Sequence, residues 1–301
     1  MVSIIIATYN GEKYLKQQLN SIADQSYKDI EIIICDDDST DGTKKIIKDF
    51  AESHPNVFSY LSVKNQGVNK NFEEGFVKAR GEFIAISDQD DIWLPNKIEE
   101  QLKLFTKDEI VLTHSLSARF SGDALPAKKY DHTSNLFEGN DVRKLLLRNS
   151  VSGHNIIFRK KLLDKVLPIP HNIYYDWWLV QTAACNGLIA ATNKILAYQR
   201  AHENNITVKV RTTVFQTEEE YEERITALHL FLKLHGLSDN NKQFIKDLIV
   251  QFKKLETSTF SKELYHFFLK NRLILFYYKK GLLKYFSQKK AALRMSYKVK
   301  N

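Results

Sequence analysis

The chain has 301 residues, with 44 lysines and arginines against 36 acids and a formal net charge of +8. Its 43 % hydrophobic and 12 % aromatic content supports a folded core, and 11 glycines with 5 prolines exclude a collagenous or low-complexity chain. The charge is unevenly placed: residues 262–301 hold 11 of the bases and one acid, Glu263. The first 261 residues are therefore close to neutral, which argues against a surface evenly coated for nucleic acid and for one localised anionic contact.

In chain order, short β-branched runs predict strands at residues 2–7, 30–35, 57–63, 83–87 and 110–116. Between them, Tyr14, Leu15, Leu19 and Ile22 mark one helix face, and Ile46, Ile47, Phe50 and Ala51 a second. Phe72, Phe76 and Ala79 mark a third, and Ile98, Leu102 and Phe105 a fourth. This alternation predicts an α/β domain with a mostly parallel sheet covered on both faces. Further on, 121–140 reads as a loop, 141–148 as a short helix, 155–158 as a strand, 176–185 as an apolar helix, and 189–192 and 195–198 as strands. From about residue 213 the pattern is helical, dividing a body of 1–212 from a basic extension of 213–301.

Cys35 and Cys185 lie in apolar segments and predict reduced thiols of a cytoplasmic protein. Residues 1–6 lack a basic n-region, so no signal peptide is expected. The longest uncharged run, 177–193, is interrupted by Gln181, Asn186, Gly187 and Asn193 and does not read as a membrane span.

In sheets of this type ligands bind at the carboxyl ends of the strands. Those ends are polar here. Thr8-Tyr9-Asn10-Gly11-Glu12 follows the first strand, Asp36-Asp37-Asp38-Ser39-Thr40-Asp41-Gly42-Thr43 the second, and Asp88-Gln89-Asp90-Asp91 the fourth. Seven aspartates gathered at one edge need a cation or a donor-rich ligand. Asp88 and Asp90 project to one side of extended chain and offer the paired hard oxygens that suit Mg²⁺ or Mn²⁺ bridging to a diphosphate; the alternative is a turn in which Asp91 caps the following helix. A carboxylate of the 36–38 cluster can accept the N3–H of a pyrimidine, with Thr8, Tyr9 and Asn10 as hydroxyl, stacking and amide partners. Neither a Gly-x-Gly-x-x-Gly loop nor a Gly-Lys-Ser/Thr is present, so dinucleotide and P-loop readings fail. Asp176 is either an N-cap or a carboxylate desolvated by Trp177 and Trp178 into a general base, with the two indoles a wall for a sugar ring. His202 follows the last strand of the body as a metal or phosphate contact or as an ordinary surface histidine, and His154, in Gly153-His154-Asn155, is a weaker candidate.

Together, Thr8-Tyr9-Asn10, Asp36 to Thr43, Asn65-Gln66-Gly67, Ser87-Asp88-Gln89-Asp90-Asp91-Ile92-Trp93, Asp176-Trp177-Trp178 and Tyr198…His202…Asn205 resemble glycosyltransferase family 2, over about residues 1–210. The Ser-Asp-Gln-Asp-Asp-Ile-Trp and Asp-Trp-Trp variants look especially like bacterial rhamnosyltransferases of surface polysaccharide synthesis. The resemblance implies a GT-A-type fold and inversion at the anomeric carbon. It implies that Thr8 and Asp36 hold the base and ribose, Asp88 the ribose or metal-bound water, Asp90 the metal under the diphosphate, Asp176 the role of catalytic base, and His202 a metal or phosphate contact. On the same reading Tyr9, Asn10, Glu12, Asp37 and Asn65 complete the nucleotide site, and Trp93, Trp177, Trp178 and His154 contact sugar or acceptor. Tyr175 stands where many members carry Glu, and Tyr198-Gln199-Arg200-Ala201-His202 is one residue longer than Tyr-Arg-Gln-His. The expected partners are a dTDP- or UDP-linked sugar and a saccharide or lipid-linked acceptor; nucleic acid is not expected.

In the extension, apolar residues from Leu264 to Phe286 interleave with Lys270, Arg272, Lys279, Lys280 and Lys284. A basic amphipathic helix of this composition suits an anionic membrane surface, placing the protein on the inner face of the cell membrane; the alternative is an extension packed on the body. Rival functions are a nucleotidyltransferase, which normally has a basic Gly-rich loop that Thr8 to Lys13 does not provide, and a non-catalytic nucleotide-binding scaffold.

Overall fold

The computed structural model describes residues 1–122, 136–203, 218–279, 281 and 283–298. Its centre is an eight-stranded sheet in the order β3-β2-β1-β4-β7-β6-β8-β5. The strands are β1 (Val2–Thr8), β2 (Ile30–Asp36), β3 (Val57–Leu61), β4 (Phe83–Ser87), β5 (Ile92–Trp93), β6 (Ile110–Phe120), β7 (Ile156–Arg159) and β8 (Leu188–Arg200). The β3-β2-β1-β4 half is parallel, as is β6 with β8, whereas β7 runs antiparallel to both of its neighbours and β5 antiparallel to β8. The sheet is therefore mixed. A Thr8↔Asp36 register brings the polar ends of β1 and β2 together.

Period-two alternation in β1 explains its place at the centre. Val2, Ile4 and Ile6 join the core of α1 (Leu15–Ala23) and α2 (Thr43–Ser53), while Ile5 faces α3 (Val68–Lys78) on the opposite side. Gly75 permits that second approach, since a Cβ there would lie 2.2 Å from Ile5 Cγ2. After β5 come α4 (Lys97–Leu102), α5 (Leu163–Val166) and α6 (Tyr175–Asn186). The segment expected as two strands, 189–192 and 195–198, is one strand, β8, with irregular register against β6 where Thr192, Asn193 and Lys194 interrupt the apolar run. The 141–148 helix is a shorter 3-10 turn, Val142–Leu145. Cys35 and Cys185 are unbridged.

The extension consists of α7 (Glu218–Phe231), α8 (Asp239–Lys253), α9 (Lys262–Lys270), α10 (Arg272–Leu275) and α11 (Lys284–Met295). The proposed boundary at 213 lies outside the described residues. One hydrophobic cluster runs from Ile5 and Phe76 through Trp177 and Trp178 to Phe231, Phe252, Phe268, Phe276 and Met295. Each fully buried Phe contributes about 1.5–3 kcal/mol of burial, so these helices are anchored on the body. This corrects the expectation of a single amphipathic helix: Leu264, Phe268, Leu275 and Phe276 are fully buried, and the Tyr277 hydroxyl bonds Ser150 Oγ. Leu283, Tyr285 and Phe286 remain exposed, and Lys280 and Leu282 fall outside the described residues. No helix among the described residues is long and apolar enough to cross a membrane.

Candidate active site

At the joined ends of β1 and β2, the polar side chains bond one another first. Asp36 is fully buried, accepting from Thr8 Oγ1 at 2.8 Å, from the Ser39 amide at 2.9 Å and from Ser39 Oγ at 2.5 Å. Asp37, also buried, accepts from the amides of Gln66 and Gly67 at 2.7 and 2.8 Å and so holds the start of α3, and Asn65 Nδ2 donates to its carbonyl. Thr8, Asp36 and Asp37, expected to face a nucleotide, are here joined to neighbouring strand ends by these bonds. Tyr9, Asn10 and Glu12 face solvent at this edge. Gln89 clamps Tyr9 by accepting from its amide and donating to its carbonyl, both at 3.0 Å. Asn10 Oδ1 accepts from Thr40, and Glu12 Oε2 from the Gly42 amide.

Beyond β4 the aspartates separate into two depths. Asp90 lies on the outer side, its Oδ2 2.7 Å from His202 Nε2. This contact forms across the extra residue of the 198–202 segment, which is accommodated by turning Arg200 inward. The buried Arg200 guanidinium donates to the Asp90 and Gly122 carbonyls and to Gln17 Oε1, and its amide to Asp91 Oδ1. Burial, with the neighbouring charge of Asp88, raises the Asp90 carboxyl above its ordinary value. Asn204 and Asn205 lie outside the described residues.

The inner layer was not anticipated. Asp91 caps no helix: Ile92–Trp93 is a strand and α4 begins only at Lys97. Its carboxylate is buried, 3.6 Å from His154 Nδ1, and Oδ2 has no hydrogen-bond partner. Burial pushes this carboxyl up to about 8 despite His154. Buried Lys97, near Asp91 and bonded to Gln101, is pushed down to about 7 by the same desolvation. His154 also lies 3.5 Å from Asp88 Oδ2, and its pKa rises because the attraction of Asp91 and Asp88 outweighs its burial.

Asp176 sits in the first turn of α6, whose N-cap is Tyr174 without a side-chain bond, so the capping alternative is not realised. Desolvation first, then the charge of Asp88, pushes the Asp176 carboxyl up to about 6. Hydrogen bonds from the amides of Trp177 and Gly153 and from the Asn149 side chain moderate the rise. The Tyr175 hydroxyl bonds Asp88. Gly153 is required by this packing: a Cβ there would lie 2.2 Å from the Tyr175 hydroxyl oxygen. Asn149 is a contact of Asp176 that sequence reasoning missed, because it lies in a loop well before α6; Tyr175 adjoins Asp176 in the sequence, but its bond to Asp88 was not visible there.

The tryptophans expected to contact sugar are core residues. Trp177 Nε1 donates to the Leu145 carbonyl and Trp178 Nε1 to the Val166 carbonyl, each at 2.8 Å, and Trp93 is buried over Lys97. A helix turns about 100° per residue, so the indoles beside Asp176 point inward, away from the carboxylate edge.

The ligand atoms of Asp88, Asp91 and His154 all lie within 4.8 Å of one another. Hard oxygens with one imidazole, together with the orphaned Asp91 Oδ2, fit a divalent cation of the Mg²⁺ or Mn²⁺ type. The outer Asp90–His202 pair offers a second oxygen and nitrogen on the solvent side.

Residues 3–167 match the family model described as glycosyl transferase family 2. An uncharacterized glycosyltransferase of Nostoc sp. (strain PCC 7120) is 32 % identical over 215 residues, covering 68 % of this chain and 66 % of that protein. The chain spans about 60–66 % of the length of the first curated relatives. Among solved structures, S. aureus TarS 1–349 in complex with UDP-GlcNAc aligns with a TM-score of 0.62 at 19 % identity, over 91 % of this chain and 81 % of that one. The mannosyltransferase PcManGT of Pyrobaculum calidifontis, in complex with GDP-Man and Mn²⁺, aligns with a TM-score of 0.59 at 14 % identity, over 97 % and 85 %. These likenesses make the mixed sheet GT-A-like. With aspartates on its parallel strand ends and more than half its length matched to one family, the chain belongs to glycosyltransferase family 2.

Proposed function

We propose that the protein transfers a sugar, with inversion, from a pyrimidine nucleoside-diphosphate sugar to a hydroxyl of a saccharide acceptor in bacterial surface polysaccharide synthesis, on the inner face of the cell membrane. The motif set favours dTDP-L-rhamnose; UDP-hexose and UDP-N-acetylhexosamine are the alternatives, the latter supported by the sugar nucleotide bound in TarS.

One observation carries the reading. Asp88 lies between the buried Asp91–His154 pair and the desolvated Asp176, within electrostatic reach of both. A carboxylate poised near neutral pH beside a cation-binding cluster is the arrangement that displacement of a diphosphate by a hydroxyl requires. Asp176 takes the acceptor proton at its carboxylate oxygen. Asp88 raises the basicity of that oxygen, and Asn149 with the Gly153 and Trp177 amides fixes its direction. Asp90, Asp88 and His202 would hold the cation on the diphosphate side, with Asp91 and His154 beneath them. When bound, such a cation neutralises charge developing on the leaving diphosphate. Tyr9, Asn10, Glu12 and Asn65 border the nucleotide side.

The test is a thermal-shift panel of dTDP-, UDP- and GDP-sugars with and without Mn²⁺ or Mg²⁺, followed by transfer of radiolabelled sugar to lipid-linked and free acceptors. Cation-dependent stabilisation by one pyrimidine nucleotide sugar and labelled product are expected. No stabilisation by any of them would overturn the donor reading. Donor binding without product under every acceptor would favour the non-catalytic scaffold.

A further inference from the structure

Helix α11 carries its bulky apolar residues on the outside. The side against the body presents Gln288, Ala291, Ala292 and Met295. The opposite side presents Leu283 at its N-cap, Phe286 and Leu293, which are 68 %, 65 % and 40 % exposed. Positions 283, 286, 290 and 293 are three to four residues apart and form one stripe, with Lys290 at its middle. Tyr285 is half exposed beside this stripe, its ring centre 5.7 Å from that of Phe286 and 5.3 Å from the Arg272 guanidinium. A contiguous exposed apolar surface of this kind marks a docking face.

The charges around the stripe choose the occupant. Lys284, Lys289, Lys290 and Arg294 lie on α11, and the sequence contains no acid after Glu263. Among the described residues, Lys284, Lys290 and Arg294 form no ion pair. Arg148 and Arg294 both lie close enough to Lys279 to depress its ammonium, with burial the larger cause. The basic surface thus runs from α11 to the loop at Arg148 and Asn149. A second copy of this chain docked face to face would bring two such rows of cations together, whereas a layer of lipid phosphates would neutralise them. At 12 residues α11 is about 18 Å long, too short to span a bilayer but suited to lying along one.

We propose that α11 lies flat in the headgroup layer of an anionic bilayer, with Leu283, Phe286 and Leu293 among the acyl chains and Lys289, Lys290 and Arg294 at the level of the phosphates. This deepens the peripheral-membrane part of the proposed function and rests on that reading only for its consequence. Asn149 bonds the Asp176 carboxylate, and its neighbour Arg148 belongs to the same basic surface. Docking through α11 therefore holds the catalytic edge near the headgroups, where a lipid-linked hydroxyl is presented.

The experiment is flotation of the full chain with vesicles of phosphatidylcholine alone or mixed with phosphatidylglycerol. Binding to the mixed vesicles only, weakened by salt, is expected. Phe286→Asp with Leu293→Asp should abolish it. Lys290→Gln and Arg294→Gln should each weaken it roughly fivefold, as a loss of about 1 kcal/mol per basic residue implies. Unchanged thermal unfolding and unchanged sugar-nucleotide stabilisation confirm that the variants are folded, and the glutamine variants stand in if the aspartates impair folding. The proposal is overturned if the wild-type chain does not float with anionic vesicles or if the variants float equally well. It is likewise overturned if light scattering shows a dimer that Phe286→Asp dissociates while flotation is absent. Flotation needs no sugar nucleotide, so failure of the donor reading would leave it intact.

Discussion

Replacing Asp176 with Asn tests the base directly, and the structure sets two magnitudes. The carboxyl is pushed from 3.8 to about 6, with desolvation the larger cause and the charge of Asp88 the second. With that value, about nine-tenths of the molecules carry the free base at pH 7 and about one-tenth at pH 5, so kcat/KM should fall about tenfold across this interval. In Asp176→Asn, transfer should drop about 10²–10⁴-fold at pH 7, the usual contribution of a positioned base. The stability effect has the opposite sign. A carboxyl whose folded pKa lies above its unfolded value binds its proton more tightly in the folded chain, so stability is greatest below about pH 4 and declines as pH rises through 6. The ionised Asp176 then costs about 3 kcal/mol at pH 7, at about 1.4 kcal/mol per unit. The amide removes that cost, and Tm should rise by several degrees. Transfer assays and calorimetry from pH 4.5 to 8 read both effects. Normal turnover in the variant refutes the base assignment, and an acid limb centred near pH 4 refutes its desolvation.

Asp90→Asn should reduce transfer about 10²–10³-fold and abolish the cation dependence of donor stabilisation, as a chelator should in the wild-type chain; full activity in chelator overturns the cation reading. Gly153→Ala forces the Tyr175 hydroxyl away from its place beside Asp88, and Tyr175 cannot retreat because its ring packs on Phe72, with centroids 4.2 Å apart. Calorimetry should show a loss of about 1–3 kcal/mol, with a further loss of kcat. Asp37→Ala leaves the Gln66 and Gly67 amides without their acceptor. It should cost about 3 kcal/mol in urea unfolding, and Mn²⁺-dependent donor binding should recover when the variant is kept at low temperature.

β1 and β2 were legible because they are buried on both faces and therefore read as continuous β-branched runs. Residues 83–87 were placed to the residue. β5 was not legible, since two residues between an aspartate cluster and Leu94-Pro95 are too short a run to read as a strand, and only pairing with Ala197 and Tyr198 makes them one. The aspartates at the strand ends were visible as a cluster, but their depths were not. Asp88, Asp90 and Asp91 differ in burial because His154 and Arg200 arrive from elements far along the chain. The same limit misplaced Trp177 and Trp178: adjacency to Asp176 sets their distance along the helix, while the direction they face depends on which side of α6 meets Leu145 and Val166.

Asp88 shows how the two depths act together. Asp88 raises Asp176, Asp90 and Asp91 through its charge, bonds Tyr175, and faces His154. A cation held by this cluster would screen that charge from Asp176, whose carboxylate would then be more basic before the cation is seated than after. Desolvation, the larger cause of the rise to about 6, does not depend on Asp88 and would persist with a cation in place. Burial of the carboxylate supplies the margin. Without that desolvation, a cation-screened Asp176 would settle near the ordinary carboxylate value, where it has little affinity for a hydroxyl proton.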